Sequence, residues 1–285
     1  MKWPTWEQAA IAAILSSLVA FILRRRRPGD KPAVFTEQLT VEFALISALY
    51  AVWRVARKLP LAQNDGAIER ARSIVDFQEA TFMPTELSLQ QFILRHDWLG
   101  WPTTLYYALM HVPALIAFLI WLFVFHRTHF AHWRNGLVVL TGMCLVIRFW
   151  RVAPPRFLAD LGYQDLSERF GPSIYGPVGT GVSDQFAAMP SIHVGWAAVV
   201  SLGIFAVSTS RWRWFFLLHL IITIIVVSAS GNHWWLDGIV AIGLLVVSLW
   251  LDTFVRSHLA RRNEPTQTDN DQRLAQSERD VSSIS

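Results

Sequence analysis

Two histidines at the edges of apolar segments carry the clearest chemical signal: His193 in AAMPSIHVGWA and His233 in SASGNHWWLDGIV. Asp237 follows the second by four residues, a spacing that places both side chains on one face of a helix. Histidine moves protons near neutral pH and is also a nucleophile. A carboxylate beside it binds one ring nitrogen, fixes the tautomer and leaves the other nitrogen to attack. Arg156, in RFWRVAPPRF, supplies a cation, and Ser191 with nearby backbone N–H groups supplies donors. The helix starting just after Pro190 adds partial positive charge suited to an anion. Together these groups match the needs of phosphoryl transfer: positioned donors for the phosphoryl oxygens, a nucleophile (His233), and an acid–base (His193). His193 protonates the departing alkoxide, then activates the incoming hydroxyl or water.

The elements that must hold these residues are apolar helices. The chain has 285 residues, 53% of them hydrophobic, with 14 Trp, 18 Phe and a mean hydropathy of +0.34. Charged residues make up 16%, against about 25% in a soluble domain. They gather between apolar blocks long enough, at about 20 residues, to cross a bilayer as helix. The expected fold is therefore all-α: a polytopic membrane protein of about six to seven transmembrane helices with a helical-bundle catalytic core. Candidate spans lie near 5–23, 38–56, 103–125, 136–153, 191–208, 213–230 and 234–255, with Gly231 and Asn232 reversing the chain before the last.

The same pattern divides the chain into N-terminal transmembrane helices over 1–60, an interfacial amphipathic segment over 61–102, a catalytic transmembrane core over 103–258 and a polar, disordered tail over 259–285. The net charge of +4 and pI near 9.6 do not point to nucleic acid, because the basic residues sit at span ends. Cys144, the single cysteine, excludes a disulfide framework and a cysteine-based metal site. The first apolar segment has its positive charges behind it, at Arg24 to Arg27, and reads as a retained span rather than a signal peptide.

Alternating the spans puts Arg24 to Arg27, Arg127, Arg134, Arg211, Arg213 and Arg256 on one face, which the positive-inside rule assigns to the cytoplasm. Arg156, His193, His233 and Asp237 then share the other face, so the site is expected to be extracytoplasmic, with a cytoplasmic C-terminus and a location in the plasma membrane. Arg54, Arg57 and Lys58 stand on that same outer face, against the rule.

PSIH at 190–193 and HWWLD at 233–237 resemble the second and third motifs of the type 2 phosphatidic acid phosphatase (lipid phosphate phosphatase) superfamily, over about residues 86–255. APPR at 153–156, the NH pair at 232–233 and the long Gly/Pro loop resemble its inositol phosphorylceramide synthase branch. The resemblance implies a metal-independent enzyme without a cofactor, acting on a lipid phosphate. His233 becomes the phosphohistidine, Asp237 orients it, and His193 is the acid. It leaves water and an alcohol such as a polyol both open as acceptor. The chain departs from the superfamily where Phe149 stands at a lysine position, Ile192 at a glycine and Val227 at an arginine. A catalytically silent lipid-binding or transport protein on the same scaffold is the competing expectation.

Arg148, Arg151 and Asn232 complete the candidate phosphate-binding set with Arg156 and Ser191. Ser191 equally suits a helix cap, and Arg148 equally suits snorkelling to the interface. His111 reads first as a hydrogen-bonded core residue, with a headgroup contact as the alternative. The run His126, His129, His132 lacks single-face spacing and reads as an interfacial basic loop rather than a zinc site.

Overall fold

The computed structural model describes residues 4–26, 31–56, 65–171 and 185–262. Among them the chain forms eleven α-helices, two 3-10 turns and one isolated bridge, an all-α membrane architecture. Four helices are long and apolar enough to cross a bilayer: α1 (Trp6–Arg26), α2 (Lys31–Ala56), α7 (Arg127–Ile147) and α11 (Trp235–Arg262). A fifth candidate is a pair, α5 (Asp97–Leu109) and α6 (His111–Phe125), bent by 49°. Pro113 explains the break: it has no N–H to give the carbonyl four residues back at Leu109. Two shorter apolar helices, α9 (Ile192–Val207) and α10 (Arg213–Ala229), complete the bundle. At 1.5 Å per residue they reach about 24–26 Å, slightly less than the hydrocarbon thickness of about 30 Å.

Buried apolar side chains of α6, α7, α9 and α11, among them Phe118, Leu122, Leu140, Val199 and Leu245, interlock as the core. Large apolar residues on the outward faces remain exposed, as at Ile14, Ile120, Val246 and Trp250, where lipid rather than water is the surrounding solvent. The far end of α11 is fixed to α7 by Asp252, which contacts His132 Nδ1 and Arg256 Nε at 2.7 Å and accepts from Asn135 Nδ2, also at 2.7 Å. The α1–α2 hairpin reaches α7 through an Arg134–Glu42 ion pair and an Arg127 donation to Gln38.

Between these helices lie three short ones: α3 (Ala67–Ala80), α4 (Glu86–Arg95) and α8 (Leu166–Phe170). The α3 and α4 helices are amphipathic, burying Gln78, Glu86 and Gln90 inward while Phe77 and Phe92 stay exposed.

Two sequence expectations are corrected. The fourth span starts at Arg127 rather than 136 and ends at Ile147 rather than 153; His129 and His132 are helical within α7 rather than in a loop. Helix α7 ends at Ile147, so Arg151, expected inside the span, lies outside the helix and Arg148 caps its end. Pro154 and Pro155 keep the chain from resuming a helix toward Arg156, since a residue preceding proline is driven out of the α region. The polar tail after Arg262 and most of the Gly/Pro loop, 172–184, lie outside the described residues.

The reversal between α10 and α11 turns on Gly231, at φ +74°. A Cβ there would stand 2.7 Å from the Gln164 carbonyl oxygen and 2.9 Å from Gln90 Nε2. Gly231→Ala is expected to cost about 1–2 kcal/mol from backbone handedness alone, with the clash in addition. Thermal unfolding in detergent checks this, and an unchanged midpoint refutes the tight turn.

Candidate active site

The site forms where the connection after α7 meets the stretches that lead into α9 and α11. Irregular backbone near a bilayer must satisfy its own polar groups, and here it does so residue by residue. Val152 and Ala187 form a parallel bridge, in which Ala188 N–H donates to the Val152 carbonyl at 3.1 Å. Ala153 N–H donates to Ala67 O at 3.0 Å, and Trp234 Nε1–H donates to Ala153 O at 2.9 Å. The Trp234 ring is fully buried among Ala67, Tyr163 and Leu158, which ties the chain leaving His233 to α3 and to the 150–163 segment.

With its N–H taken, Ala188 turns its carbonyl to His233, whose Nδ1 lies 2.8 Å away. A carbonyl only accepts, so Nδ1 carries the proton, and in the neutral ring Nε2 holds the lone pair. Asp237 Oδ2 stands 3.3 Å from the same Nδ1–H and also accepts the Trp234 N–H at 2.8 Å. His233 precedes α11 by two residues, so a tight turn, rather than the shared helix face inferred from the spacing, brings Asp237 beneath it. The Asp237 side chain is completely buried, and its Oδ1 has no hydrogen-bond partner among the described residues.

His193, in the first turn of α9, faces this ring: its Nδ1 is 3.4 Å from His233 Nε2. Ser191 caps α9, its Oγ accepting Val194 N–H at 3.3 Å, while its own N–H donates to the Asp237 carbonyl at 3.2 Å. The starts of α9 and α11 are thereby joined by backbone. Tyr107 packs on the other side of His193, with ring centroids 4.7 Å apart, and the buried His111 packs at 4.9 Å.

Arg156 is brought to the same turn from the 3-10 segment Pro155–Phe157. Its N–H donates to Gly231 O at 3.0 Å, its guanidinium donates to Asn232 Oδ1, and Nε lies 3.5 Å from Asp165 Oδ2. Asn232 gives its Nδ2–H to Ser230 Oγ at 2.8 Å, so its amide is committed to orienting Arg156. Arg148 ends α7, half-buried, and the Arg151 carbonyl accepts the Arg70 Nε–H at 2.5 Å. Val227 is buried with Tyr107, Val194 and Ala241, and its carbonyl accepts the N–H groups of Asn232 and His233. Phe149 points outward, partly exposed.

Two contributors have no sequence signature. Ala188 acts through its backbone carbonyl, which no side-chain pattern reveals. Arg70 of α3 lies over the Trp150 ring at 5.3 Å and joins α3 to the segment before Arg156. The residues of the His126–His132 run diverge: His126 packs on Trp121, and His132 pairs with Asp252. Among the described residues no three His, Cys, Asp or Glu side chains converge on a metal position.

A family model of the PAP2 superfamily matches residues 72–251, a region that contains Arg156, His193, His233 and Asp237. No curated protein and no solved structure matches the chain.

Because the Ala188 carbonyl accepts from Nδ1 independently of the carboxylate, the ring tautomer is expected to survive loss of the Asp237 charge. Ring 15N NMR of His-labelled protein is expected to read Nδ1–H for His233 in the wild type and in Asp237→Asn alike. A switch to Nε2–H in the variant would assign the tautomer to Asp237 instead.

Proposed function

The chain belongs to the PAP2 superfamily, a membership that supports a phosphatase-type activity on lipid phosphates, and we propose that it cleaves or transfers a phosphoryl-containing lipid headgroup through a phosphohistidine at His233. The observation that carries this is the lone pair of His233 Nε2, held by the Nδ1–H···O contact to Ala188 and turned toward His193 at 3.4 Å.

The chemistry runs in two steps. His233 Nε2 attacks phosphorus, the phosphorus–oxygen bond to the lipid breaks, and His193 gives its proton to the departing oxygen. His193 then takes a proton from the entering hydroxyl, whose oxygen attacks phosphorus and breaks the phosphorus–nitrogen bond, restoring His233. The buried Asp237 carboxylate supports the cationic, phosphorylated ring, which supplies the counter-charge an isolated buried carboxylate lacks. Arg156 and the start of α9 support the phosphoryl oxygens; Ser191 and Asn232 act by shaping that region, through the α9 cap and the Arg156 contact.

Both water and an alcohol fit the second step. The APPR sequence at 153–156 and Asn232 before His233 are the features that favour an inositol phosphorylceramide synthase-like transferase with a polyol acceptor. Offering a polyol and following product from free phosphate to a new phosphodiester separates the two. The site end of the bundle is proposed to face outward from the plasma membrane, on the motif of basic residues at its opposite end. A reporter on the C-terminal tail is expected in the cytoplasm; an external reporter inverts the orientation.

Purified protein is expected to form an acid-labile, base-stable phosphoramidate on a lipid phosphate. His233→Ala should abolish it and lower turnover by about 10³-fold or more. Normal turnover in that variant sinks the mechanism. Lipid phosphate binding with neither turnover nor phosphoramidate in the wild type identifies a silent scaffold instead.

A further inference from the structure

Glu86 lies at the start of α4, far in sequence from both histidines, yet it is fully buried. A buried glutamate is ordinarily held by a cation, but here the donors are neutral. Its Oε1 accepts the Trp235 backbone N–H and the Gln78 Nε2–H, each at 2.7 Å, and Oε2 accepts from the Tyr163 hydroxyl at 3.5 Å. Trp235 is the first residue of α11, where backbone N–H groups have no partner inside the helix. Two consecutive amides are therefore claimed by two carboxyl groups: Trp234 by Asp237 at 2.8 Å, and Trp235 by Glu86.

Helix α4 holds the other side of the same reversal. Gln90, also fully buried, donates to the Ala229 carbonyl at the end of α10 and to the Gln164 carbonyl, at 3.1 and 2.9 Å. Both ends of the turn that carries His233 thus rest on one amphipathic helix. Burial raises the Glu86 pKa; the nearby Asp237 charge adds to this, while the Trp235 and Gln78 donors oppose it.

We propose that Glu86 is a positioning residue: by accepting the Trp235 N–H it holds the start of α11, and with it His233 and Asp237, in the reactive geometry. This rests on the proposed function for its kinetic consequence but not for its structural one, so two readouts are taken on the full chain. The first is steady-state turnover of phosphatidic acid in mixed micelles. The second is the 15N ring signal of His233, which needs no activity.

Glu86→Leu keeps the volume and removes the acceptor. It is expected to lower kcat by about 10²-fold, the scale of a misplacement near 1 Å, with KM little changed and the sharp Nδ1–H signal broadened. Glu86→Gln keeps an acceptor oxygen and is expected to lose only about threefold. If Glu86→Leu does not fold, Glu86→Asp, with its oxygen drawn back from Trp235, is expected to lose about tenfold in kcat with the same broadening. Wild-type turnover and ring signals in the Leu or Asp variant overturn the proposal, as does a Gln variant as impaired as Leu. A wild type inert toward phosphatidic acid counts against the enzyme reading, while the ring signals still decide the role of Glu86.

Discussion

A single hydrogen bond from a side chain to the backbone sets the geometry on which this site depends: His233 Nδ1–H to the Ala188 carbonyl. It determines which ring nitrogen carries a lone pair, and so which one faces His193. The carbonyl is available in that direction because the N–H of Ala188 is already paired with Val152. Val152 is placed in turn by its neighbour Ala153, which is pinned by both Ala67 and Trp234. The loops at the mouth of the bundle have few ways to satisfy their amides without water, and the arrangement adopted is the one that aims the imidazole.

The helices play a different part. Buried apolar positions along α6, α7 and α9 set their packing, and Asp252 anchors α11 to α7 at the end away from the site. From Asp237 to Asp252 is about 22 Å along the helix at 1.5 Å per residue. The bundle therefore has one polar end occupied by ion pairs and another occupied by the histidines, with an apolar body between them.

How much of this could be read in the sequence follows from where the information resides. Apolar length and the clustering of charge suffice to place α1 and α11, because a bilayer imposes that pattern directly. The single span expected over 103–125 is instead a pair that starts at Asp97 and breaks at Met110. The start of α7 was hidden because RTHFAHWRN is polar in composition yet helical, its polar residues meeting partners on α2 and α11 that only the packed structure supplies. His193, His233, Asp237 and Arg156 were legible as residue types with known chemistry, and they do converge. Asn232 and Ser191 looked like ligands because amides and hydroxyls at helix starts serve both roles; their bonds here run to Arg156, Ser230 and Val194. Ala188 was invisible, since alanine has nothing but its backbone to offer.

The order in which the pieces leave the ribosome matters for this design. Ala67, Glu86, Val152, Arg156 and Ala188 are all made before the residues they hold, and the turn from Gly231 to Asp237 comes after every one of them. A nascent chain that stalls ahead of Trp235 lacks Asp237, and with it the Trp234 N–H contact that closes the turn around His233. The packed form of the turn is thus reached only after α11 has been made, because its amides at Trp234 and Trp235 are held by Asp237 and Glu86.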